Sequence, residues 1–501
     1  MMRWPGRRVW SAAGTTVAVA VIACGGEIAN PAGGNSAGLR IVSGAPVSDT
    51  ISSTVAQPLT VAVVDGTGRP AAGRFVLFEV LPAVPPTEVS AALAIMREGS
   101  PAPGIVILDT TDSRGHAAVR VQFGVIAGAN AVRITVPELG YVDTARYTTL
   151  PGALHHVDVA PADTAAYVGK DYVLRAHGAD RRGNMRVGDR ITFSSETGSA
   201  TVDATGAVVA TAIGRASIVA RAGGLSSTAY LSVVPQAVIA AQQHDPGNGG
   251  PLGIFLMELD GSNRTLLAAP LDNAYVSGQG FGWSPDGREL AIARGSSVNL
   301  VSPGSAERPL IETNGTLLLG ARFSRDGQWI YYAHSRDGLS RVRGDGTALE
   351  LIGNAAAQYG QYGQDYRPSP SPDGQSVAYA SDRTPCGGTA CIRVLDIATG
   401  MGRSYGGRSY LVSGTSVAWS PTDDLIAYSY VGEVGVIRSD GTGQRALAKD
   451  INLVTWMDWS PDGKWLLVSP PMGPVILFDV QTGTRLPIAT LANYGATAWR
   501  P

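Results

Sequence analysis

The stretch WMDWSPDGKWLLVS, Trp456–Ser469, sets two apolar, tryptophan-bearing runs on either side of a Ser-Pro-Asp-Gly sequence. Proline fixes φ, aspartate accepts hydrogen bonds from nearby amides, and glycine takes the positive φ of a tight hairpin, so the stretch reads as two antiparallel strands and their turn. The unit recurs. Its serine falls at Ser284, Ser324, Ser371, Ser420 and Ser460, and AWRP puts Arg500 in the same slot, at intervals of 40, 47, 49, 40 and 40 residues. Trp283, Phe323, Trp419, Trp459 and Trp499 precede that slot, with Pro370 the exception.

Each unit continues alike. A second strand follows the turn (ELAIA, WIYYA, SVAYA, LIAYS, KWLLV). A third (IRVLDI, VGVIR, VILFDV among them) ends in LDGS, GDGT, IATG, SDGT or VQTG, and a short fourth completes it. Four strands repeated every 40 residues or so build the blades of a β-propeller. Asp286, Gly287, Asp326, Gly327, Asp373, Gly374, Asp462 and Gly463 are therefore read as turn-makers; a ring would place these carboxylates in separate blades, too dispersed for shared chemistry. Closure is implied by the ends. Ala237–Ala268 holds three strands without a preceding WSPDG strand, and GATAWRP is a lone first strand, so the last strand completes the first blade and leaves no open edge. Residues 236–501 are expected to form six blades. Repeats of the form aWSPDGkxlay…vdxdG resemble the TolB-type propeller repeat, which implies a binding ring. In place of the α/β domain that precedes the propeller in that family stand two β modules.

Residues 39–150 alternate strand-like runs (LTVAVV, RFVLFEV, AAVRVQFG, AVRITV) with turns, as a β-sandwich does. VVDGTGRPAAG, TTDSRGHAAVRV and AGANAVRITV are similar to the invasin type of bacterial Ig-like domain, with an insertion, LPAVPPTEVSAALAIMREGSPAPG. Residues 153–235 resemble the group-two bacterial Ig-like pattern: a turn at Asp203 and Gly206, Gly214 before a small-residue strand, then Gly223-Gly224, with Phe193 where that family often has tryptophan. Such modules imply spacers. The fold expected is all-β: two Ig-like β-sandwiches, then a six-bladed β-propeller closed by its C-terminal strand.

Arg3, Arg7 and Arg8 precede an apolar run from Ala12 to Ala23, too short to span a bilayer as a helix. It ends in VIAC, which looks like the lipobox of bacterial lipoproteins; the resemblance implies a signal peptide over residues 1–24 and a lipid on Cys24. Residues 25–38 read as a flexible linker, and Gly25 after the cysteine leans toward the outer membrane. The lipid is then the only membrane contact. The other cysteines, Cys386 and Cys391 in TPCGGTACI, suit a small disulfide-closed loop, the alternative being two free thiols.

With 39 Lys+Arg against 41 Asp+Glu and a net charge of -2, no nucleic-acid surface is expected. No GxSxG, GxxxxGK[ST] or HExxH motif occurs, and of six histidines only His244 and His334 fall in the ring, where a propeller lyase would need a cluster. The expectation is no enzyme, no cofactor and no metal site, with a calcium ion in an acidic loop left open. Length variation sits opposite the SPDG turns, in NAAAQYGQYGQDYRPS (Asn354–Ser369) and SDRTPCGGTAC (Ser381–Cys391). Tyr359, Tyr362, Asp365 and Tyr366, joined by His334, Arg336 and His244, form the candidate binding face, because loops on a rigid scaffold carry recognition. The function expected is a lipid-anchored envelope protein binding a protein or peptide partner; the alternative is a surface protein that binds or processes carbohydrate.

Overall fold

The computed structural model describes residues 37–501 apart from 82–92, 98, 101, 246–250, 270–279, 336–337, 355–363, 384–390, 406–415, 431 and 452. The described residues form strands and turns without an α-helix, so no helix among them is long and apolar enough to cross a membrane. The chain divides into two compact units, Met1–Gly152 and Ala153–Pro501.

In the first unit, period-two alternation builds two facing sheets. Phe75–Leu81 (FVLFEVL) buries Val76, Phe78 and Val80 and turns the intervening residues outward. One sheet orders Gly38–Ser43, Leu59–Val64, His116–Phe123 and Leu93–Arg97; the other orders Val47–Thr50, Tyr141–Leu150, Gly128–Val136, Phe75–Leu81 and Val106–Thr110. Their inner faces share one core, with Val61, Val119 and Val121 of the first sheet and Phe78 and Ile134 of the second fully buried. The inserted segment is not wholly loop: Leu93–Arg97 lies inside it and pairs with His116–Phe123.

In the second unit, residues 153–235 carry short sheets around Val208, Ile218, Leu231 and Val233. Six four-stranded antiparallel sheets follow. Their innermost strands are the ones that end at the repeated serine slot: Phe281–Trp283, Leu318–Phe323, Asp365–Pro370, Val417–Trp419, Trp456–Trp459 and Tyr494–Trp499. Each touches the next in order, and the last returns to the first, so the sheets run in a closed cycle. Tyr494–Trp499 completes the sheet of Val238–His244, Pro251–Glu258 and Thr265–Ala268, pairing Ile239 with Trp499 and Ala241 with Thr497. Arg500 fastens the junction further: its Nε donates to Gly287 O at 2.8 Å, and its guanidinium lies 5.2 Å from the Trp283 ring centre.

The turns explain the repeat. Ser284 Oγ donates to Asp286 Oδ1 at 2.6 Å, while the amides of Arg288 and Glu289 donate to Asp286 (3.1 Å) and Ser284 Oγ (3.0 Å). Ser371–Asp373 and Ser460–Asp462 repeat the contact at 2.6 Å, and Ser324 donates to Asp326 at 2.5 Å. Gly287, Gly327, Gly374 and Gly463 close these turns at φ between 67° and 72°. The serine hydroxyl, then the backbone amide, holds the carboxyls of Asp286 and Asp373 below their ordinary range.

Residues 153–235 are seated on the ring. Ala165 and Val234 share a core with Ile239, Met257, Leu486 and Ile488. Lys170 Nζ meets the buried Asp260 carboxylate at 2.5 Å, and Ser232 Oγ donates to Pro487 O at 2.5 Å. The contacts bridge the first and sixth sheets, the two that meet at ring closure.

Candidate binding site at the ring axis

Where the innermost strands reach their turns, the axis opens into a cavity of about 130 Å³. Its wall is the repeat seen end-on. Every sheet supplies the residue before the serine slot and the residue after it: Trp283 and Pro285, Phe323 and Arg325, Pro370 and Pro372, Trp419 and Pro421, Trp459 and Pro461, Trp499 and Pro501. Five sheets thus place proline after the slot and the third places Arg325, which is exposed. Large flat apolar groups with polar edges are the material of recognition surfaces.

One residue further back along the strands, two charges interrupt the apolar collar. Arg322 of the third sheet and Asp458 of the sixth, 136 positions apart, meet at 2.6 Å. Arg322 Nη2 also donates to Met457 O at 2.7 Å, and Asp458 Oδ2 accepts from Trp499 N at 2.9 Å. Both side chains are nearly buried, at 12 % and 14 % exposure. Burial raises the Asp458 carboxyl above its ordinary value, and Arg322 opposes that rise.

Deeper still the axis is filled. Trp456 is 1 % exposed, stacks on Phe281 with 6.4 Å between ring centres, and takes Arg322 at 4.8 Å and Arg367 at 5.9 Å. A Cβ on Gly280 would fall 1.9 Å from the Trp456 ring, so only glycine admits this plug. Arg367 holds φ 51°, unusual for a residue with a side chain. Burial lowers its guanidinium to about 10, and the neighbouring Arg322 adds to that. The cavity is therefore a dead end, open at the turns.

Of the candidates named from sequence, the described ones, His244, His334, Asp365 and Tyr366, lie toward the other end. The strand Trp329–His334 starts at a turn and ends at His334, about 17 Å away at strand rise. His334 Nε2 hydrogen-bonds Ser340 Oγ at 2.9 Å, and its ring lies 5.2 Å from that of Tyr332. His244 packs against Gly495, where a Cβ would sit 2.7 Å from His244 Nε2. Tyr366 is half-buried and donates to Asp382 Oδ2 at 3.0 Å. Asp365 departs from the expected exposed face: it is 0 % exposed and bonded to Arg383 Nε at 3.1 Å, with Arg383 and Arg393 also buried. Burial raises its carboxyl, opposed by Ser381 and the two arginines. It anchors the fourth sheet from within. Tyr359, Tyr362, Arg336, Cys386 and Cys24 lie outside the described residues; Cys391 is buried at the head of its strand. Among the described residues no group of three His, Cys, Asp or Glu is placed to hold a metal ion.

Sequence reading missed the axial cavity because the SPDG turns account for themselves as structure. Two signals were available: FSRDG, with Arg325 in the proline position, and charges inside apolar strands at Arg322 and Asp458.

Residues 417–494 match the family described as the anaphase-promoting complex subunit 4 WD40 domain, over the fifth and sixth sheets. An uncharacterised protein of Agrobacterium fabrum (strain C58) is 29 % identical over 196 residues, which is 36 % of this chain and 62 % of that protein. The aligned part thus spans less than two thirds of that relative's length. Among solved structures, TolB from Acinetobacter baumannii is similar at 15 % identity and TM-score 0.44, over 62 % of this chain and 83 % of that one. An oligogalacturonate lyase in complex with manganese is similar at 16 % identity and TM-score 0.32, over 51 % and 72 %. The repeat and the closed cycle of four-stranded sheets make the ring of this chain an all-β propeller.

Proposed function

We propose that this chain is a non-catalytic, lipid-anchored protein of the bacterial cell envelope whose six-bladed propeller binds a protein or peptide partner. Its two Ig-like sandwiches act as spacer, the second being fixed to the ring. The observation that carries the reading is the dead-end axial cavity, walled by aromatic and proline side chains from all six sheets. Aromatic and proline surfaces of this kind receive extended polypeptide. Cys24 is the lipid anchor in this reading, and Cys386 pairs with Cys391 to close the loop that enters the third strand of the fourth sheet.

Crosslinking followed by capture from intact cells tests the reading. The combined variant Phe323→Ala, Arg325→Ala removes wall area, and it loses the partner that the natural chain retains. Undiminished capture by a folded variant contradicts the assignment. Mass spectrometry of the membrane fraction checks the anchor: Cys24 carries a diacylglyceryl group, and Cys24→Ser moves the chain out of that fraction. Four tryptophans in the wall also favour a second reading, stacking on a sugar ring. Binding across a glycan array, lost in the same double variant, distinguishes it.

A further inference from the structure

The inference rests on the envelope reading above and concerns a second place on the molecule. We propose that the hairpin at residues 180–190 of the second sandwich is a membrane-docking loop. It sets exposed arginines against anionic phospholipid headgroups and an apolar tip among the acyl chains beneath them.

The first ground is how the hairpin sorts its charges. Its two acids turn inward. Asp180 is 1 % exposed; its Oδ1 accepts from the amides of Arg182 at 2.8 Å and Asn184 at 3.0 Å, and its Oδ2 from Asn184 Nδ2 at 2.9 Å. Asp189 takes Arg186 in two hydrogen bonds of 2.8 and 3.0 Å, and a Cβ on Gly178 would fall 2.1 Å from its Oδ2. The arginines turn outward. Arg181, Arg182 and Arg190 are exposed, and none has an acidic partner among the described residues. On the two strands beside the hairpin, His156–Ala160 and Arg175–Ala179, the sole acid is Asp158, set 3.4 Å from His156 and 3.5 Å from His177.

The second ground is apolar. Val187 is 88 % exposed, the most exposed large apolar side chain among the described residues, and Met185, two positions before it, is 57 % exposed. Met185–Arg186 is the edge strand of its sheet, with Met185 paired to Ala179. Exposed apolar side chains among cations suit a partner that is anionic at its surface and apolar just beneath it.

Together the two grounds select a lipid surface over a soluble polyanion, which would meet the arginines and leave Val187 in water. The hairpin is free for the contact, since the sandwich is seated on the ring through Ala165, Lys170, Ser232 and Val234, outside this segment. A lipid on Cys24 would already hold the chain at a membrane, so the loop needs little affinity of its own. The net charge of -2 conceals the patch, because it averages over the whole chain. The lipid is then not the only membrane contact.

The test uses the whole chain as its Cys24→Ser variant, so that no attached lipid draws it to vesicles, with Val187→Cys carrying an environment-sensitive fluorophore. Vesicles are equal parts phosphatidylglycerol and phosphatidylcholine, or phosphatidylcholine alone. The emission is expected to shift to the blue with the anionic vesicles, to stay unshifted with the neutral ones, and to shift less in high salt. Arg181→Gln with Arg182→Gln, two exposed changes that leave the hairpin folded, raises the lipid concentration at half-shift about 30-fold, since each arginine near an anionic surface contributes about fivefold. No shift with anionic vesicles, an equal shift with neutral ones, or a half-shift unmoved by the two substitutions overturns the proposal. A shift that poly-glutamate produces and anionic vesicles do not also overturns it, assigning the hairpin to an acidic polypeptide. If the label never shifts while Cys24 of the natural chain carries its diacylglyceryl group, the envelope reading stands and this inference alone falls.

Discussion

The two ends of the propeller are built on opposite principles. The turn end is made by the repeat: each sheet delivers the same two wall positions, so the cavity inherits its shape from five copies of one hairpin and the strand Tyr494–Trp499 that ends in the same positions. Toward the other end lie the described parts of the fourth-sheet segments 354–369 and 381–391, which stretch the spacing to 47 and 49 residues. Among its described charged residues, Asp365 is turned inward and paired with the buried Arg383 within the sheet. Regularity gives a propeller its axis, and that regularity fails at Arg322, Arg325 and Asp458. The lesson is that a repeat can be structural in every copy and still compose a site where the copies converge.

The largest effect that sharpens this contrast is expected at the floor of the turn end. Arg322→Ala leaves Asp458 nearly buried beside Trp499 N, and loss of one partner of a buried pair is costly, about 3 kcal/mol. Replacing both partners with Met and Leu recovers most of that stability. Chemical denaturation of the three proteins checks it, and a double variant no better than Arg322→Ala breaks the account of the floor. Gly280→Ala follows closely, since its Cβ meets the Trp456 ring at 1.9 Å; overpacking there costs about 2–3 kcal/mol, read as a lower melting temperature.

A smaller effect tests the hinge that makes the collar repeat. Ser460 Oγ donates to Asp462 and accepts from Trp465 N at 2.9 Å, so Ser460→Ala removes two local contacts and costs about 1 kcal/mol. The smallest effect separates turn aspartates from axial ones by pH. Asp286 and Asp373 are held below their ordinary value by Ser284 and Ser371. Their contribution is present above the unfolded carboxylate value, near pH 4, and is lost as pH falls through the depressed folded value. Asp458 and Asp365, raised by burial, carry the opposite sign: their contribution is present at low pH and is lost as pH rises through the raised folded value. Asp286→Asn with Asp373→Asn should therefore flatten the acid limb of the stability curve, measured between pH 5 and pH 2 in roughly the range where carboxylates titrate. An unchanged acid limb would mean that the turn carboxylates are not held by their serines.

Much of the ring was legible because its signals are local. A Ser-Pro-Asp-Gly turn needs only neighbouring residues to form its hydrogen bonds, and the lone strand GATAWRP could be matched to the sheet that lacked one by counting strands. The axial floor was not legible in the same way. Arg322 and Asp458 meet only after the ring has closed, and nothing in either segment names its partner. Asp365 was misplaced because its neighbours, Tyr, Gln and Gly, read as a polar loop, while its arginine partner lies eighteen positions on, across a hairpin. The seat of residues 153–235 on the ring was equally hidden: Ser232 bonds the carbonyl of Pro487, 255 residues away.

The most direct test of the account is where a partner touches the ring. A photo-crosslinking residue placed at position 325, at the turn end, and in a second protein at position 362, in the segment named from sequence as the binding face, reports contact in intact cells. The account predicts a crosslinked partner from position 325 and none from position 362. A partner trapped from position 362 alone would contradict it.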